Sequence, residues 1–320
     1  MNGRNIGVDI LKCVAAILIT NSHMELLHPK EALATGGAIG NVLFFFCSGF
    51  TLFLKPMGRF DNFYKKRIAR IYPAVFAWTA LTILLFKWDP TVFDMIVHGG
   101  GWFVGCIMTH YVFIYFVGKY LARHMYIVAG LSLSLIVVWY LLLDRPDHYN
   151  MYGDFSFFRY AYYFPFMLLG AFIGSRAGNK EYTFIGNLLK LIACVLLYYA
   201  FLYLSTKYKL IEEVQFLSLI PLLAIPYYFY QWANSSRMKN VYSHKVFGPL
   251  IKVVGGLTLE IYIVQHPLFT DKMNALYPLN LVFMFAIVVV VAYLLRCSAR
   301  LFSQVFDQRD MEWKQIFKLY

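Results

Sequence analysis

The chain has 320 residues, of which 60% are hydrophobic, 19% aromatic and 14% charged, with a net charge of +12. A single soluble core stops growing near ~250–300 residues, so a soluble chain this apolar would expose large greasy patches and aggregate. Soluble globular enzymes, disordered chains and nucleic-acid-binding domains are thereby excluded. What remains is an all-α polytopic membrane protein.

A membrane helix needs about 20 mostly apolar residues. Runs of that kind fall near 8–27, 38–54, 71–87, 102–118, 125–143, 157–174, 184–205, 214–232, 250–269 and 278–297. They predict a bundle of about ten transmembrane helices with short connections and no soluble domain. The run Phe283–Leu295 is apolar on every side, which favours helices over the alternating strands of a barrel. With the N-terminus in the cytoplasm, only Lys30, Lys87, Arg145, Arg159, Lys207, Lys209 and Lys272 of the 29 Lys and Arg fall outside. That bias predicts both termini cytoplasmic and explains the basic balance without a nucleic-acid partner. The expected location is the cell membrane, crossed many times.

The first run carries Asp9, Lys12 and His23. No small-residue cleavage pattern follows it, so it is expected to stay as an anchor. Asp9 and Lys12 are three apart and can pair on one helix face. Lys12 and His23, eleven apart, share a face and are separated by about 16 Å along the axis. Ionisable groups inside a membrane are costly and point to a site. The plainer alternative is that Lys12 snorkels to the inner surface and His23 is capped at an interface. The second run contains Gly37, Gly40, Ser48 and Gly49, small residues that let helices approach closely.

The first long inner loop, Phe63–Pro73, holds Lys65, Lys66, Arg67 and Arg70. Arg67 and Arg70 are three apart, so a short helix would aim both guanidiniums the same way, an arrangement suited to phosphate. Anionic lipid is the alternative ligand of the same charges. Trp102-Phe103 opens the fourth run. The ninth contains Glu260, whose central position requires a proton or a partner, with His23, His266 or an Arg as candidates. The five cysteines fall in or beside predicted spans without metal-ligand spacing, and no metal is expected. Tyr160, Tyr162 and Tyr163 form an outer belt or a sugar-stacking surface. The domain organisation expected is a single membrane domain over 1–297, followed by a basic amphipathic tail over 298–320.

Several patterns then fall in one order. Asp9-Ile10-Leu11-Lys12 precedes His23. Gly37-x-x-Gly40 leads into Phe44-Phe45 and Ser48-Gly49-Phe50. The basic stretch Arg67-x-x-Arg70 ends at Pro73. Trp102-Phe103, then Phe164-Pro165-Phe166 with Gly170 and Gly174, and finally Leu257 to Ile263 with His266 complete the series. From about residue 4 to 295 the chain resembles the acyltransferase-3 family, integral-membrane O-acyltransferases that modify surface glycans and related acceptors. Lys12 stands where that family more often has Arg.

The resemblance implies transfer of an acyl group, most often acetyl, from cytoplasmic acyl-coenzyme A to a hydroxyl of a surface or exported polysaccharide, including a lipid-linked one. Acetyl-CoA is the expected donor and co-substrate, and membrane lipids the surrounding partners. Under this reading Lys12, Arg67 and Arg70 bind the donor, and His23 is the general base with Glu260 orienting it. Ser48, Trp102, Tyr262 and His266 contact substrate. Direct attack and an acyl-His intermediate both fit. The alternative function is a proton-coupled transporter or flippase of a lipid-linked glycan or small solute, which would also bury Lys, His and Glu.

Overall fold

The computed structural model describes residues 5–54, 56–87, 91–146, 149–153, 156–178, 180–306 and 310–319. Arg4, Lys55 and Arg309, three of the basic residues used to orient the chain, lie outside the described residues. The fold is helical, with no strand among the described residues. In chain order the α-helices are α1 (Ile6–Ser22), α2 (Gly37–Leu52), α3 (Phe60–Phe86), α4 (Gly101–Tyr120), α5 (Met125–Leu142), α6 (Phe158–Gly174) and α7 (Phe184–Ser205). They continue with α8 (Lys209–Glu213), α9 (Leu219–Ala233), α10 (Ser236–Ser243), α11 (Phe247–Gly256), α12 (Thr258–Val264), α13 (Leu279–Val305) and α14 (Trp313–Ile316).

Six described helical segments are long and apolar enough to cross a membrane: Glu31–Leu52, Phe60–Leu85, Gly101–Tyr120, Ala122–Leu142, Phe184–Ser205 and Leu279–Val305. The pair Phe247–Gly256 and Thr258–Val264, bent by 61° at its break, makes a seventh if taken as one span. The expected runs near 8–27, 157–174 and 214–232 also hold helices, but of 17, 17 and 15 residues. At 1.5 Å per residue these rise roughly 23–26 Å, short of the ~30 Å hydrocarbon layer.

The described residues fall into two compact units. The first comprises Met1–Leu11, Asn41–Met57 and Phe113–Gly248. Its packing depends on glycine. A Cβ at Gly170 would lie 2.0 Å from the Phe46 carbonyl oxygen, and one at Gly49 would lie 1.9 Å from that of Met167. α2 and α6 therefore meet backbone to backbone, the use expected of small residues between membrane helices. In this unit Tyr242 donates a 2.6 Å hydrogen bond to Asp9. Tyr140 donates to the Glu212 carbonyl at 2.6 Å, and Gln215 accepts from the Met151 amide at 2.7 Å. Tyr162 and Tyr163 are buried, with ring centroids 4.5 Å apart.

The second unit comprises Lys12–Gly40, Gly58–Val112 and Pro249–Tyr320. α13 packs on both α3 and α12, and α3 also touches α12. α13 runs through residue 298 without interruption, across the expected start of the tail. Arg300, on its last turns, donates to the carbonyls of Ile316 and Lys318, and Tyr293 donates to that of Phe317 at 2.8 Å. The end of the chain thus lies back along α13.

Candidate functional site

The site begins where α1 ends. α1 stops at Ser22, whose hydroxyl turns back to the Ile19 carbonyl at 2.8 Å. Asn21 commits its side-chain amide to the carbonyls of Leu33 (3.0 Å) and Thr35 (2.9 Å). Short polar side chains that compete for backbone groups in this way end helices. His23 is consequently the first residue past the helix, in a turn closed by its own amide on the Thr20 carbonyl at 3.1 Å.

Two ties hold the segment after His23 to the segment after α12. Asn274 donates to the Leu26 carbonyl at 2.8 Å, and the buried Asn280 donates to that of Leu27 at 3.0 Å. Met24, Leu27 and Met284 form a small buried cluster there, flanked by Phe269 and Phe285. These contacts bring His23 against the end of α12. Its Nδ1 lies 2.7 Å from Gln265 Nε2, and its ring lies 4.5 Å, centroid to centroid, from that of His266. Gln265 is fully buried, whereas His266 is exposed on one side.

α12 is positioned by an ion pair. Glu260 is buried in its first turn, where a carboxylate complements the helix dipole. Arg296 of α13 grips it bidentately, Nε to Oε1 at 2.9 Å and Nη2 to Oε2 at 2.6 Å. The same Nη2 donates to the carbonyl of Gly256, the last residue of α11. One guanidinium thereby neutralises the buried acid and satisfies a carbonyl that the helix break leaves without its intrahelical donor. Of the partners expected for Glu260, the structure selects an Arg, and Gln265 stands on His23 Nδ1.

Tyr262, also on α12, packs its ring 5.2 Å from Phe103. Trp102 lies edge-to-face on Phe103 at 5.8 Å. Gly101 opens α4 at φ +66°, and a Cβ there would lie 2.9 Å from the Tyr262 hydroxyl, so this turn requires glycine twice over. The start of α4 and the middle of α12 thus form one aromatic patch.

The basic stretch is not a loop. Arg67 and Arg70 lie on α3, which starts at Phe60. Arg67 is half-buried, its guanidinium 5.3 Å from the ring centre of Phe63 and 5.7 Å from that of Tyr111. Its buried Nε has no acceptor among the described residues. Cation–π contacts with these rings hold the guanidinium in place. Arg70 is exposed. Lys12 is half-buried on α1. Ser48 is buried on α2 and belongs to the first unit, whereas the other candidates belong to the second.

Sequence reasoning named His23, Glu260, Lys12, Arg67, Arg70, Ser48, Trp102, Tyr262 and His266, and missed Gln265 and Arg296. Gln265 had one signal, an uncharged polar residue closing the apolar run from Leu257 to Val264. Arg296 ended the last apolar run and read as an inner-surface charge.

The sequence pattern of the family described as acyltransferase domain, acyltransferase 3, matches residues 5–297. Comparisons with curated proteins and with solved structures find no match. The family match covers nearly the whole chain, from α1 through Arg296 on α13. The protein is therefore an integral membrane protein of the acyltransferase-3 family.

Proposed function

We propose that this chain is an O-acyltransferase that moves an acyl group, most often acetyl, from cytoplasmic acyl-coenzyme A to a hydroxyl of a surface or exported polysaccharide. The observation that carries the reading is the His23 imidazole, held at one ring nitrogen by a buried amide and flanked by a second imidazole. An imidazole changes protonation near neutral pH and suits proton removal from a hydroxyl. In this reading the chain crosses the cell membrane about ten times with both termini in the cytoplasm. Residues 1–297 form the catalytic domain, and 298–320 form a basic tail at the inner surface.

The chemistry follows in balanced steps. The acceptor hydroxyl gives its proton to His23 as its oxygen bonds to the thioester carbonyl carbon. The tetrahedral intermediate collapses, the carbon–sulfur bond breaks, and the proton passes from His23 to the departing thiolate. Arg67, Arg70 and Lys12 hold the donor's phosphates. The Arg67 Nε, which has no acceptor among the described residues, supports that role. Trp102, Tyr262 and His266 contact substrate. Glu260 acts at one remove, by keeping α12 in place through Arg296.

The test is transfer of radiolabelled acetyl from acetyl-CoA into cell-envelope glycan by membranes holding the wild-type chain or His23→Ala. Label with wild type alone supports the reading. One observation favours a second reading: discontinuous helices such as α11–α12 are a device of transporters. Folded protein that consumes no acyl donor from a panel of acyl-CoAs would make a carrier of lipid-linked glycan the better account.

A further inference from the structure

We infer that the side-chain amide of Gln265 is a positioning group that sets the tautomer of His23, its carbonyl oxygen accepting the Nδ1 proton so that Nε2 is the basic nitrogen. The inference deepens the proposed function and rests on His23 acting as a base.

Three observations lead to it. Gln265 has no exposed surface, and its amide is 2.7 Å from His23 Nδ1. In the structure the amide nitrogen faces Nδ1, while the buried Oε1 has no donor among the described residues. Finally, the carboxylate of the same helix, Glu260, has both oxygens on Arg296.

The chemistry turns on which end of the amide meets the ring. An N–H2 facing Nδ1 makes that nitrogen the acceptor and puts the ring proton on Nε2, which then cannot take a proton from a hydroxyl. Rotating the amide by 180° exchanges oxygen for nitrogen with almost no change of shape. The carbonyl then gains a donor, Nδ1–H, the amide N–H2 gives up Nδ1 as its acceptor, and the ring's Nε2 carries the lone pair. In the familiar catalytic triad a carboxylate does this work on the same ring nitrogen, and replacing it so that the wrong tautomer forms removes most of the rate. Here the uncharged amide takes that place, while the buried acid is spoken for by Arg296. When the acceptor hydroxyl is deprotonated, its proton arrives at Nε2 and the Nδ1 proton stays on the Gln265 oxygen.

The test reads the tautomer directly. The full chain is labelled with 15N-histidine, placed in nanodiscs, and examined by long-range 1H–15N correlation. His23→Ala identifies the His23 ring among the eight histidines. The expected wild-type spectrum has the proton on Nδ1. Gln265→Met should mix the tautomers and lower kcat by roughly 10- to 100-fold, a loss typical of groups that orient a catalytic side chain, with KM for acetyl-CoA unchanged. Gln265→Glu, an acceptor only, should keep Nδ1 protonated and recover most of kcat.

A wild-type His23 protonated on Nε2 with Nδ1 bare overturns the inference, and this spectrum needs no variant of Gln265 to fold. So does Gln265→Met with wild-type kcat. The base reading fails separately: His23→Ala with normal turnover removes the base, whatever the spectrum shows. An inactive His23→Ala beside a bare Nδ1 removes the tautomer inference and leaves the base.

Discussion

Arg296 and Glu260 are joined by two hydrogen bonds, 2.9 and 2.6 Å, and the same guanidinium reaches the Gly256 carbonyl at the break between α11 and α12. One side chain therefore holds a buried charge and a helix end together. Removing one partner of a buried pair leaves the other uncompensated, at about 3–5 kcal/mol. Arg296→Met should lower the thermal midpoint of the purified protein sharply. Arg296→Met with Glu260→Met should recover much of the loss, since neither charge then remains buried. Equal midpoints for the single and double variants would show that the pair is not what holds the break.

His23→Ala should fold as wild type and lose about 10²–10⁴-fold in acetyl transfer, the range for a general base. His23 touches Gln265 and His266 but lies outside the buried clusters, so size-exclusion behaviour should be unchanged. Wild-type turnover by this variant would remove it from the chemistry.

Arg67→Ala should raise the KM for acetyl-CoA by tenfold or more, while the KM for the acceptor stays put. Arg67→Lys should recover only part, because an ammonium cannot match the two-pronged contact of a guanidinium with phosphate. Tyr111→Leu removes one of the two rings facing Arg67 and should raise the same constant by a few-fold, as expected for ~1 kcal/mol of cation–π contact. An acceptor-only effect in this series would remove Arg67 from donor binding.

Gly170→Leu should abolish monodisperse protein in detergent, because its Cβ alone would fall 2.0 Å from the Phe46 carbonyl. Gly130→Ala is the control. A Cβ there meets nothing within 4 Å, and alanine favours the helix by up to ~1 kcal/mol. Both variants behaving alike would show that α2 and α6 do not need their close approach.

The helical membrane architecture was legible because apolar runs of about 20 residues have few other uses. Their ends were less so. The run 8–27 gives a helix that stops at Ser22, since Asn21 and Ser22 divert their polar groups to backbone carbonyls. The run 250–269 gives two helices, since Gly255-Gly256 holds a helix weakly and Arg296 satisfies the carbonyl exposed by the break. His23 and Glu260 stood out as ionisable groups in apolar runs, and Arg67 by its three-residue spacing from Arg70 in a basic stretch. Gln265 and Arg296 did not, because a helix face in sequence says nothing about which distant helix end adjoins it. The ties from Asn274 and Asn280 and the direct contacts of His23 with Gln265 and His266 reveal that the turn at His23 meets the end of α12.

Those ties have a mechanical consequence. Asn274 on Leu26 and Asn280 on Leu27 fasten the chain after His23 to the chain after His266. Parting the two would strip the donors from two carbonyls at once. Movement of one of these segments therefore carries the other with it.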